Sequence, residues 1–207
     1  MSFEIWLAYA LAASLILVIP GPTIILVISQ AMNHGRKSVI PLVFGVVLGD
    51  LTAMVLSLLG LGAILSVSAT LFIILKWIGA VYLLYLGITL WRSNPDSKTP
   101  LLAQKGSTNG SLFRSSFIVT SLNPKGIAFF VAFLPQFVNP KMPVQPQLVL
   151  LGITFLVLAG MNAAIYAIFA GQLREHLQSR RVRRWFNRCG GTALIGAGIV
   201  TAAMKRT

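Results

Sequence analysis

Asp50 and Lys125 are the residues of this sequence best placed to do chemistry, because each puts a charge deep inside a long apolar run. Asp50 follows Gly45-Val46-Val47-Leu48-Gly49 near the middle of residues 39–65. The other acids, Glu4, Asp96 and Glu175, fall at the edges of apolar runs or between them. An ionisable group at membrane depth is costly, and such groups commonly mark ion or substrate pathways. Asp50 could carry a proton or bind a substrate ammonium; its structural alternative is an ion pair or a carboxyl kept neutral by burial. Lys125 lies midway along residues 112–138, too deep to snorkel to an interface. It could hold a substrate carboxylate or pair with Asp50, in which case the pair would only lock two parts of the chain together.

Both charges are accompanied by helix-breaking residues. Pro20-Gly21-Pro22 interrupts the apolar run 5–31, and Asn123-Pro124-Lys125-Gly126 interrupts the run 112–138. Proline removes a backbone donor and glycine permits unusual dihedrals, so each helix is expected to open there. Irregular backbone at membrane depth is tolerated where protein buries it or where it lines a cavity, and paired interruptions in two halves of a chain point to a transport site. The exposed half-helix ends offer N–H and C=O groups that suit a molecule carrying one carboxylate and one ammonium. Packing kinks are the alternative for either proline cluster taken alone.

The elements that must position these residues follow from composition. Of 207 residues, 56% are hydrophobic and only 10% charged, with a mean hydropathy of +0.82, which places the chain among integral membrane proteins. Six apolar segments approach the length of a spanning helix, at about 5–31, 39–65, 69–91, 112–138, 148–173 and 189–204. The net charge of +13 does not signal nucleic acid, since most of the seventeen cations sit in short connections between apolar runs. They concentrate at 32–38, 92–111 and 174–188, making those connections cytoplasmic and placing both termini outside; Lys205 and Arg206 weigh against this, but less than the arginine cluster weighs for it. The N-terminus has Glu4 and no early Lys or Arg, so it reads as a first span and not as a cleaved signal. A single cysteine, Cys189, and two histidines at expected membrane edges, His34 and His176, leave no thiolate or imidazole metal site, and no cofactor is expected.

The expected fold is all-α: six transmembrane helices in one domain over 1–207, built as two inverted three-helix repeats with helices one and four broken. The halves are about 1–92 and 112–207, with the polar segment 93–111 as linker. A shift of about 111 lays Gly79, Ala80, Leu83 and Gly87 onto Gly190, Gly191, Leu194 and Gly198, and a similar shift lays Asp50 onto Asn162. Asn162 therefore joins the candidate site. In the third span, Lys76 and Trp77 read as interface anchors and Gly79, Ala80 and Gly87 as a packing face. Tyr82 and Tyr85 are phenols that need a partner when buried, and Tyr82 is placed with the cavity residues.

Taken together, Pro-Gly-Pro in span one, Gly-x-x-x-Gly-Asp in span two, Lys-x-x-Gly-Ala-x-Tyr-Leu-x-Tyr-Leu-Gly in span three and Asn-Pro-Lys in span four make the sequence resemble the lysine exporter family of amino-acid efflux proteins, and within it the homoserine/threonine exporter branch. The likeness covers nearly the whole chain. It implies a multi-pass bacterial inner-membrane exporter of amino acids or close derivatives, driven by the proton gradient. The implied partners are a small amino-acid substrate, protons and the lipid bilayer, with homo-oligomerisation left open. On this reading Pro20, Gly21, Pro22, Asp50, Tyr82, Asn123, Pro124, Lys125 and Asn162 form the substrate site and Asp50 also couples protons. The scarcity of buried anions favours a neutral cargo over a dibasic one. Export of another small solute or a metal ion, or a scaffold role, are the alternatives; an enzyme is not expected, for the sequence has no paired buried carboxylates and no Ser-His or Cys-x-x-Cys arrangement.

Overall fold

The structure, a computed structural model, describes residues 1–67 and 108–170, together with isolated helical positions within 77–92 and 184–199. Most of the third and sixth expected spans and of the linker 93–111, together with Tyr82 and the glycine correspondence between halves, lie outside the described residues. Every regular element among the described residues is helical. They are α1 (Phe3–Val18), α2 (Pro22–His34), a 3-10 turn (Gly35–Ser38), α3 (Val39–Val67), α4 (Asn109–Ser121), α5 (Pro124–Ala128), a π-helical turn (Phe129–Phe133), a 3-10 turn (Leu134–Phe137) and α6 (Val144–Ile168).

The helix ends follow local chemistry and correct several expected boundaries. Pro22 does not lie in the open backbone: it is the first residue of α2, where a missing N–H costs nothing, so the gap between α1 and α2 is residues 19–21. Asn123 caps α5, its Oδ1 accepting from Lys125 N at 3.1 Å, with Pro124 again in the first position. Lys125 and Gly126 are consequently helical, and the second break is confined to residues 122–123, where the chain bends by 42°. Asn109–Ser111, assigned to the linker by composition, already belong to α4, capped by Thr108 Oγ1 accepting from Ser111 N. α6 starts four residues earlier than expected, at Val144.

Pro22–Gly60 forms a continuous helical run of 39 residues, and α6 is a second helix long and apolar enough to cross a membrane; α4 with the helical segment after its break makes a third if the bent pair counts as one span. Within the long run Gly35 has φ +67°, a conformation glycine tolerates, and Ile28 and Ala31 before it share a buried cluster with Leu42 and Val46 after it. α1, with 16 residues, is short for a span by itself.

The core is divided in two. One cluster gathers Tyr9, Ala13 and Ile16 of α1, Ala53 and Met54 of α3, Phe129, Phe130 and Leu134, and Leu151, Phe155 and Ala159 of α6. Its rings interlock, with Phe130 and Phe155 at 4.9 Å between centroids and Tyr9 and Phe137 at 5.2 Å. The Tyr9 hydroxyl, buried here, has no hydrogen-bond partner among the described residues. The second cluster joins α2 and the start of α3 to Leu112 and to Ala163, Tyr166 and Ala167 of α6. Outward-facing side chains are also apolar, among them Phe44, Leu48 and Leu56 of α3 and Val149, Ile153 and Met161 of α6, the pattern expected of helices facing lipid. Near the expected cytoplasmic ends of spans three and six, the Arg188 guanidinium lies 5.1 Å above the Trp91 ring.

α3 and α4 approach closely, and glycine makes it possible. A β-carbon on Gly45 would collide with Ser116 Oγ and the Phe113 carbonyl; one on Gly49 would sit 2.8 Å from Thr120 Cβ and 2.9 Å from the Phe117 carbonyl. Gly45 and Gly49, one turn apart, form a small-residue stripe that lets the two backbones meet. Gly45→Ala and Gly49→Ala should each lower the thermal stability of detergent-purified protein by the equivalent of about 1–3 kcal/mol. Gly60→Ala, where an added carbon meets nothing within 4 Å among the described residues, should leave it unchanged. Equal melting of all three would show that the helices have room to part.

Candidate functional site

Ending α1 at Val18 creates a specific problem. In a continuing helix the amides of residues 20–23 would donate to the carbonyls of Ile16, Leu17, Val18 and Ile19. Pro20 and Pro22 have no such amide, and the extended backbone at Ile19 and Gly21 turns the chain away. Four carbonyls are left facing the protein interior.

Each of them is met by a side chain from the other half of the chain. Lys125 Nζ donates to the Ile16 carbonyl at 2.5 Å and the Ile19 carbonyl at 2.8 Å. Asn162 Nδ2 donates to the Leu17 carbonyl at 3.0 Å, and the Tyr166 hydroxyl donates to the Val18 carbonyl at 2.7 Å. A cation at the C-terminal end of a helix is also favoured by the helix dipole. The first turn of α2 is held differently: Thr23 Oγ1 accepts from Asn123 Nδ2 at 3.1 Å and from Thr120 Oγ1 at 3.3 Å. The two breaks expected from sequence therefore touch, Asn123 and Lys125 of one reaching residues on both sides of the other.

Beside this junction lies a cavity of about 40 Å³, which at the size of one probe sphere per water holds roughly three waters. Gly21, Thr23, Asp50, Asn123, Lys125 and Asn162 supply its polar lining; Ile16, Ile24, Val46, Phe129, Phe155 and Ala159 supply its apolar lining. Asp50 is 5% exposed and projects from α3 toward α5, where a β-carbon on Gly126 would be 3.7 Å from its Oδ1. The start of α2 opens on the same space, since Gly21 gives no side-chain cap. The cavity sits at the seam between the two apolar clusters: Ile16, Phe129, Phe155 and Ala159 belong to one, Ile24 and Val46 to the other.

Of the residues singled out from sequence, Gly21, Asp50, Asn123, Lys125 and Asn162 line this cavity, whereas Pro20, Pro22 and Pro124 shape the backbone around it. Lys125 and Asp50 face one space, but among the described residues the ammonium's hydrogen-bond partners are carbonyls and not the carboxylate. Sequence reasoning missed Thr23, Thr120 and Tyr166. Only for Tyr166 was a signal present: it lies one helical turn beyond Asn162, on the same face of α6. No group of three or more His, Cys, Asp or Glu side chains able to hold a metal ion occurs among the described residues.

Residues 14–205 match the LysE type translocator family. A homoserine/homoserine lactone efflux protein of Salmonella typhimurium is 33% identical over 205 residues, covering 99% of this chain and 99% of its own. A membrane protein of Vibrio cholerae with no assigned activity is also 33% identical, over 99% of this chain and all of its own. A leucine efflux protein of Salmonella typhimurium is 30% identical over 73% of this chain and 68% of its own. No solved structure matches the chain.

The carbonyl caps can be weighed individually. Tyr166→Phe leaves one buried acceptor unpaired and should cost about 1–3 kcal/mol in thermal unfolding of the purified protein. Lys125→Met orphans two carbonyls and removes the charge facing the helix end, so its loss should be larger. Equal stability of wild type and Lys125→Met would mean that water, not the lysine, satisfies the end of α1.

Proposed function

The chain belongs to the LysE type translocator family, and from that premise we propose that it is an inner-membrane exporter of neutral amino acids or close derivatives, homoserine- or threonine-like, working by proton antiport. The observation that carries the reading is the junction of the two helix breaks around a small cavity shared by Asp50 and Lys125. An amino acid presents a carboxylate and an ammonium a fixed distance apart. The uncapped first turn of α2, with Lys125 beside it, suits the carboxylate, and Asp50 suits the ammonium. Relatives named for homoserine, homoserine lactone and leucine efflux support a neutral cargo.

The whole chain acts as one domain of six spans in two inverted halves, with residues 32–38, 92–111 and 174–188 cytoplasmic and both termini outside. Lys and Arg placement supports this orientation, and the meeting of the two breaks supports the inverted repeat. The sequence has no Gly-x-x-x-x-Gly-Lys-Ser/Thr phosphate loop, so the proton gradient is the available driver. Asp50 is the proton carrier: a proton entering from outside neutralises it and releases the ammonium outward, and its loss inside restores the binding form.

Two measurements test this. Asp50→Asn, a permanent mimic of the protonated carboxyl, should abolish uphill export of homoserine or threonine from proteoliposomes under an imposed pH gradient; undiminished uphill transport would remove Asp50 from the mechanism. A reporter active only in the periplasm should be silent when fused after Arg184 and active when fused within 139–144. The reverse pattern would invert the orientation.

A further inference from the structure

The cavity's lining is not uniform along α6, and that asymmetry defines a subsite. Phe155, Ala159, Asn162 and Tyr166 follow one another at the spacing of one helix face. Asn162 and Tyr166 are committed to the carbonyls of Leu17 and Val18. Phe155, about 10 Å from Asn162 along the helix axis, instead packs on Phe129 at 5.0 Å between centroids. Ala159 stands between these two ends, 1% exposed and lining the cavity. The side chains that close the end of α1 therefore lie toward one end of this stripe, and its other end is apolar.

We infer that Phe129, Phe155 and Ala159 form the side-chain subsite of the transported molecule, and that Ala159, through its small size, sets the largest side chain accepted. This deepens the proposed amino-acid site and rests on it. None of the three residues can neutralise a charge, so an ionised side chain placed there would be desolvated without a partner. Two rings and a methyl group favour an uncharged, partly apolar side chain. With room for about three waters, each filling about 30 Å³ in the liquid, the cavity is smaller than a leucine or a phenylalanine, so its walls must separate to admit one, and the room gained beside Ala159 depends on what stands at that position.

The test uses the full-length protein in proteoliposomes, with counterflow of labelled homoserine competed by unlabelled alanine, leucine, phenylalanine, lysine and glutamate. Neutral amino acids should compete; lysine and glutamate should not, even at hundredfold excess. Ala159→Leu should lower the ratio of leucine to alanine transport about tenfold or more, the effect expected when extra methylenes fill an apolar pocket. If that variant fails to fold, as judged by its size-exclusion profile, Ala159→Val should give a smaller shift in the same direction and Ala159→Gly a shift in the opposite one. Transport-competent Ala159→Val and Ala159→Gly proteins with unchanged ratios would overturn the subsite, as would competition by lysine. Wild-type protein that moves no amino acid at all would instead overturn the parent reading, and the subsite with it.

Discussion

Much of the arrangement around the cavity depends on satisfying the carbonyl end of α1 in a place where water is scarce. An unpaired amide-type group buried in an apolar medium costs roughly 2–7 kcal/mol, so four of them would exceed the margin by which most domains are stable. The remedy is a lysine, an asparagine and a tyrosine brought from more than a hundred residues away. For Lys125 to arrive, the chain must break at residues 122–123 and restart as α5 under the Asn123 cap. For that break to reach α2, α4 must lie close against α3, which only the bare backbone at Gly45 and Gly49 allows. Helix breaks, glycine stripe and buried lysine are thus one solution to one constraint, and Asp50 is carried to the cavity by the helix that bears the stripe.

The resulting architecture is a polar layer between two apolar ones. On one side the rings of Tyr9, Phe129, Phe130 and Phe155 pack against α1 and α3; on the other, α2 and the start of α3 pack against Ala163 and Ala167. Thr23, Asp50, Thr120, Asn123, Lys125 and Asn162 occupy the seam, all close to one another and most of them bonded among themselves or to the α1 end. On the proposed reading, a cargo with two opposite charges and a neutral side chain would meet matching chemistry in that seam.

How much of this could be read in the sequence depended on how unusual each residue was for its surroundings. Asp50, Lys125 and the Pro20–Pro22 cluster stood out because charges and prolines are rare in apolar runs, and the structure brings all of these regions together. The expected breaks were too wide. Pro22 and Pro124 begin helices where they had been expected to interrupt them, because a first-turn proline loses no hydrogen bond. Thr120 and Thr23 were not legible, being ordinary residues whose partners lie 97 and 100 positions away, and Tyr166 was marked only by its place one turn beyond Asn162. Gly45 and Gly49 were seen as neighbours of Asp50, but their role in admitting α4 appears only once the helix facing them is known.

The manner in which α1 is attached differs from the manner in which α3 and α4 are. Those two are in backbone contact along a glycine seam, and separating them would open a void lined by main chain. The inner end of α1 is tied to its surroundings by four donor contacts from three side chains, and three non-helical residues uncouple it from α2. Side-chain contacts of this kind can be exchanged one at a time for water or for the polar groups of a guest, whereas an interlocked backbone cannot. In mechanical terms the α3–α4 pair is the chassis and α1 a lever latched at one end, with Lys125 as the catch. On the proposed reading, an incoming carboxylate would compete for the same ammonium that holds the latch shut.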